Sequence, residues 1–120
     1  MQSNSHRVDR LAGQIRAEVA TVIAEELEDP RVGFTTVLRV DVSADLQHAR
    51  VHVSVLGDAA AQERTLEGLV SATAYIRHEV GHRLNLRRVP EFAFVLDHGP
   101  EEGIRLEKLF ESLHKEEGET

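Results

Sequence analysis

The chain has 120 residues, 41% of them hydrophobic, and its 14 lysines and arginines against 21 acids leave a formal charge of −7. That length supports one compact core burying roughly 65% of the unfolded chain's surface, and it leaves too little material for a large enzyme with a separate cofactor domain. The absence of cysteine excludes disulfides and thiolate metal sites and fits a reducing cytoplasm, and no apolar run approaches the roughly 20 residues that span a bilayer.

Residues 1–5 are polar and read as a flexible start rather than the apolar core of a signal peptide. A helix is then predicted, with Val8, Leu11, Ile15, Val19, Val22, Ile23 and Leu27 on one face. Asp29-Pro30 ends it, because proline restricts the residue before it and lacks an amide donor; Asp29, Pro30 and Gly33 therefore shape an exit loop over 29–33. Leu38, Val40 and Val42 alternate with Arg39, Asp41 and Ser43, and Ala49, Val51, Val53 and Val55 with Arg50, His52 and Ser54. These are two half-buried strands, and the polar link over 44–48 suits an antiparallel hairpin.

Residues 59–86 read as helix, with Leu66, Leu69, Val70, Ile76, Val80 and Leu84 inward, but the phase slips at Ala72-Thr73-Ala74. Two consecutive helices or one kinked helix satisfy that slip. Pro90 admits a third extended segment through Leu96, with Phe92 and Phe94 as core aromatics, and Gly99-Pro100 breaks it. Ile104, Leu106, Leu109, Phe110 and Leu113 suggest a short final helix before an acidic, flexible tail over 115–120. The order helix, strand, strand, interrupted helix, strand, short helix specifies a two-layer α+β domain with one small sheet, spanning 6–114 as a single unit.

Two chemical signals stand out. His78-Glu79-Val80-Gly81-His82 has the zinc-peptidase spacing, two histidines one helical turn apart with an intervening glutamate that would activate a bound water. Such a site needs a third ligand; His98, Glu101 and Glu102 are the candidates, and none lies in a compact glycine and histidine extension. The second signal is charge polarity. Four arginines, Arg77, Arg83, Arg87 and Arg88, stand against one acid over 71–90, whereas seven glutamates stand against three bases over 101–120. Guanidinium groups on the interrupted helix, at its exit and at Arg31 match phosphate in forked geometry, and a helix N-terminus at the break adds amide donors. The Gly-x-x-Gly loop of RNA-binding KH domains is missing. Phosphate binding, protein interaction and a zinc peptidase all stay open at this point.

Several segments together carry a more specific signal. They are Asp29-Pro30-Arg31-Val32-Gly33 with Thr35-Thr36-Val37, Val42-Ser43-Ala44-Asp45-Leu46, Ala49-Arg50-Val51 with Val53-Ser54, Ile76-Arg77-His78-Glu79 with Arg83-Leu84, Leu86-Arg87, and Val89-Pro90-Glu91 with Phe94 and Asp97. In order and spacing over about 6–113 they resemble the bacterial ribosome-binding factor A family. The resemblance implies a KH-like type II domain and a non-enzymatic role in late maturation of the small ribosomal subunit, particularly in the cold. The implied partners are the free small (30S) subunit, its 16S rRNA and other assembly factors, met by a cytoplasmic monomer without cofactor, metal or membrane attachment. In this family the helix interruption carries Ala-x-Gly; Ala72, Thr73 and Ala74 occupy it here, and Ala74 departs from the pattern. Carried over residue by residue, Arg31, Arg77, Arg83 and Arg87 are expected to bind rRNA phosphates, with Arg88 joining them by charge.

Overall fold

The computed structural model describes residues 2–97. The expected helix over 104–113, His98, Glu101, Glu102 and the tail over 115–120 lie outside the described residues. Helix α1 (Gln2–Glu25) buries Ile15, Val19 and Val22 completely, as its apolar stripe dictates. It ends before Pro30 is reached. The amides of Glu26 and Leu27 both bond to the Val22 carbonyl, at 2.9 and 3.2 Å, which closes the last turn and releases the chain toward the 29–33 loop.

Strands β1 (Thr35–Val42) and β2 (His48–Val55) form the antiparallel hairpin. Asp45 builds its turn by accepting from the Ser43 hydroxyl at 2.6 Å and the Gln47 amide at 3.1 Å. The inward set of β1 differs from the alternation expected at Leu38. Val37 pairs with Val53 and Arg39 with His52, so Leu38 is the extra residue of a β-bulge. Val37 and Val40 are buried and Leu38 is 44% exposed, because the bulge resets the two-residue period. Strand β3 (Glu91–Leu96) runs parallel to β2, from His48 opposite Glu91 to Val53 opposite Leu96, giving the order β1-β2-β3. Val51, Val53, Val37 and Val40 face the helices in one core with Phe92, Phe94 and Leu96 packed against it. The other face carries Arg50, His52 and Asp41, with a 2.9 Å contact between the last two.

The parallel connection requires a crossover, supplied by α2 (Ala59–Ser71) and α3 (Thr73–Arg83). Asp58 caps α2 by accepting the Ala61 amide at 2.8 Å. The interruption falls on Ala72, whose φ of −90° and ψ of 2° make it both the end of α2 and the start of α3. No positive φ is needed there, so the break forms without glycine, and Ala74 sits within α3. Leu69, Ile76 and Val80 are fully buried as expected; Val70 is 59% exposed, because it lies about 100° round the helix from buried Leu69.

Two contacts fix the return into β3. Arg77 donates from Nε to the Pro90 carbonyl at 2.8 Å and from Nη2 to the Val89 carbonyl at 2.7 Å. A β-carbon on Gly81 would lie 2.5 Å from a Val89 methyl, so glycine lets the chain pass directly against α3. Arg77→Ala is expected to lower the unfolding free energy by about 2–3 kcal/mol in denaturant titration, since both charge-assisted bonds are lost together. Gly81→Ala should cost about 1–2 kcal/mol despite alanine's better helix propensity, and Val89→Ala in the same chain should recover part of that loss; additive losses would show that the close approach is not the cause.

Candidate nucleic-acid interface

The five arginines singled out by sequence occupy three different situations. Arg31 is folded back on its own loop: its Nε and Nη2 donate to the Asp29 carboxylate at 3.1 and 2.7 Å, and its amide donates to the same group at 2.9 Å. These bonds hold the Asp29 carboxyl down to about 2, so the pair is intact through the neutral range and is lost only as the pH falls through that value. Asp29 thus shapes the loop. Pro30 is exposed within it, and Gly33 donates its amide to Thr65 Oγ1 at 3.0 Å.

Thr65 is the residue sequence reasoning missed. It is buried on α2, accepts from Gly33 and donates to the Arg31 carbonyl at 3.2 Å, tying both sides of the loop to the helix. One turn on, Gly68 leaves room for Val32, whose methyl lies 2.7 Å from where a β-carbon would stand. A threonine in an amphipathic helix carries no outward mark of this function. Only the three-dimensional neighbour reveals it.

Arg83 lies among three carboxylates. It bonds to Glu26, reaches Glu79 at 3.2 Å and Glu18 at 3.6 Å, and so ties α3 to α1. Its hydrogen bond holds the Glu26 carboxyl below the ordinary range, helped by the Tyr75 hydroxyl donating at 3.2 Å. Burial and the facing Glu26 push the Tyr75 phenol upward. Arg83 therefore sits in an acidic cluster, and Arg77 is committed to the carbonyls before β3. Arg87 and Arg88 are different: both are exposed, and among the described residues neither makes a hydrogen bond or ion pair.

Arg87 borders an open groove between the end of α3 and the chain returning to β3, shared with His78, His82, Asn85, Leu86 and Val89. Asn85 adopts φ 52°, a left-handed conformation asparagine tolerates, and this turns the chain so that 86–88 run back along the helix. His78 and His82, one turn apart on α3, both line the groove, but Glu79 bonds to Arg83. Among the described residues no group of three metal-ligating side chains converges, and the proposed third ligands are not among those residues. What the groove offers is a guanidinium, two imidazoles and an amide over an apolar floor, a donor-rich setting for an anion. No helix among the described residues is long and apolar enough to cross a membrane.

The family model for ribosome-binding factor A matches residues 7–110. The chain is 43% identical to the ribosome-binding factor A of Rippkaea orientalis, over 98% of this chain and 97% of that one. It is 38% identical to that of Caldanaerobacter subterraneus subsp. tengcongensis, over 99% and 98%. The crystal structure of the Thermus thermophilus factor superposes with a TM-score of 0.66 at 28% identity, covering 74% of this chain and 94% of that one. A homology model of the Thermus factor, fitted into the cryo-EM map of its complex with the 30S subunit, gives 0.63 at 28% identity over 73% and 92%. The helix-strand-strand-helix-helix-strand order shared with these structures is the KH-like type II arrangement, and the zinc-peptidase reading finds no support in them. By sequence along nearly its whole length and by fold, the chain belongs to the ribosome-binding factor A family.

Proposed function

We propose that this protein is a non-enzymatic assembly factor that binds the immature small ribosomal subunit, with Arg87 and Arg88 meeting phosphates of the 16S rRNA. The observation that carries this reading is the division among the arginines: Arg31, Arg77 and Arg83 are engaged in internal bonds, while Arg87, which borders a donor-rich groove, and its neighbour Arg88 stand exposed and unpaired among the described residues. Family membership and the 30S complex of the Thermus factor support the choice of partner.

The binding is stoichiometric. Forked guanidinium donors fit two phosphate oxygens, and His78, His82 and Asn85 supply further donors along the groove. Arg31, Arg77 and Arg83 act indirectly, by holding the 29–33 loop, the approach to β3 and the α1–α3 contact in place. The acidic cluster around Arg83 limits phosphate capture to the α3 exit, so the negative net charge opposes indiscriminate RNA binding without blocking this site. Release of the factor then permits assembly to proceed.

Replacing both Arg87 and Arg88 by Ala is expected to weaken binding to purified small subunits at least tenfold and to flatten the slope of log affinity against log salt by about 1.5, with an unchanged thermal midpoint. Arg83→Ala should do the reverse, lowering the thermal midpoint and leaving the salt slope intact. An unchanged slope in the double variant would refute the phosphate assignment.

A further inference from the structure

Phe34 and Leu56 are 74% and 76% exposed, the two most exposed large apolar side chains among the described residues. They are neighbours. The Leu56 amide donates to the Phe34 carbonyl at 3.0 Å, one step beyond the pairing of Thr35 with Val55. Single exposed apolar residues are ordinary, but here an aromatic and an aliphatic side chain stand together on a firmly held backbone. Gly33 before Phe34 is bonded to buried Thr65, and Thr35 after it enters β1 while its hydroxyl donates to the Gly33 carbonyl at 2.9 Å. A ledge fixed in this way costs little ordering on binding, and aromatic anchors of this kind concentrate binding energy.

The surroundings are acidic. Residues 28–34 and 56–68, which carry the ledge and the helix that supports it, contain Asp29 and Arg31, which are paired with each other, and beyond that pair Glu28, Asp58, Glu63 and Glu67 against Arg64 alone. RNA is repelled by such a rim, whereas a lysine- or arginine-rich protein segment is attracted to it. The ledge also lies at the opposite end of β2 from Arg87 and Arg88. Those arginines precede Glu91, which faces His48 at the start of β2, and Leu56 follows its last residue, about 25 Å along the strand.

We infer that the Phe34–Leu56 ledge is a second contact surface, which docks a basic segment of a small-subunit protein by an apolar side chain seated on the ledge and cations on its acidic rim. The inference rests on the proposed function: the α3 exit meets rRNA, and the far end of the sheet meets protein.

The test places a photoreactive benzoylphenylalanine at Phe34 in the full chain, binds it to purified immature small subunits, irradiates, and identifies the adduct by nuclease digestion and mass spectrometry. An adduct to a lysine- or arginine-rich segment of one ribosomal protein is expected. Adducts to rRNA, to a second copy of this chain, or to nothing would each overturn the inference. In parallel, Phe34→Ser with Leu56→Ser should reduce co-sedimentation at least fivefold with an unchanged thermal midpoint. Undiminished binding of that variant overturns the ledge alone, whereas failure of the unaltered chain to co-sediment overturns the proposed function together with it.

Discussion

The fork that Arg77 makes with the carbonyls of Val89 and Pro90 is the constraint on which the rest of this molecule depends. A parallel strand must be reached by a crossover, and the crossover here is two short helices meeting at an alanine with no side-chain cap. Propensity alone would not hold that geometry. Arg77 anchors the far end of the crossover to the chain about to become β3, and Gly81 allows Val89 to close against the helix. The strand then pairs with β2 in register, with Pro90 buried at its approach and Arg87 and Arg88 exposed on the turn before it.

The same economy appears at the other end of the sheet. Thr65 and Gly68 fasten the 29–33 loop to α2, and Asp29 and Arg31 satisfy each other inside it. The consequence is a rigid platform that presents Phe34 and Leu56 beside acidic side chains. One small domain thereby carries two chemically different ends, basic and donor-rich at the approach to β3, apolar and acidic beyond β2. A partner made of both RNA and basic protein can satisfy both ends at once, and two modest contacts joined by a stiff domain reinforce each other.

Much of the fold was legible from period alone. The stripe of α1, the alternation of β2 and the slip at Ala72 all reflect geometric repeats that side chains cannot disguise. The β1 register was not legible, because Leu38, Val40 and Val42 imitate a regular strand, and only the pairing with β2 shows that Leu38 is a bulge. Ala74 in place of glycine was compatible with the break, since Ala72 turns the chain with an ordinary negative φ. The arginines were legible as a group, but their different engagements were not. Charge in a sequence states that a guanidinium exists; whether it meets Glu26, the Val89 carbonyl or solvent depends on neighbours dozens of residues away or across a loop. His78 and His82 illustrate the same limit: helical spacing correctly puts them on one face, while Glu79, the residue that would make them a hydrolytic site, is drawn away by Arg83.

The central claim is that this domain recognises the small ribosomal subunit before assembly is complete. Co-sedimentation of the full chain with immature small subunits, mature small subunits, large subunits and assembled ribosomes, at one salt concentration and without added metal, tests it most directly. Selective retention by the immature small subunits is the predicted result. Equal retention by all four particles, or by none of them, would contradict the account.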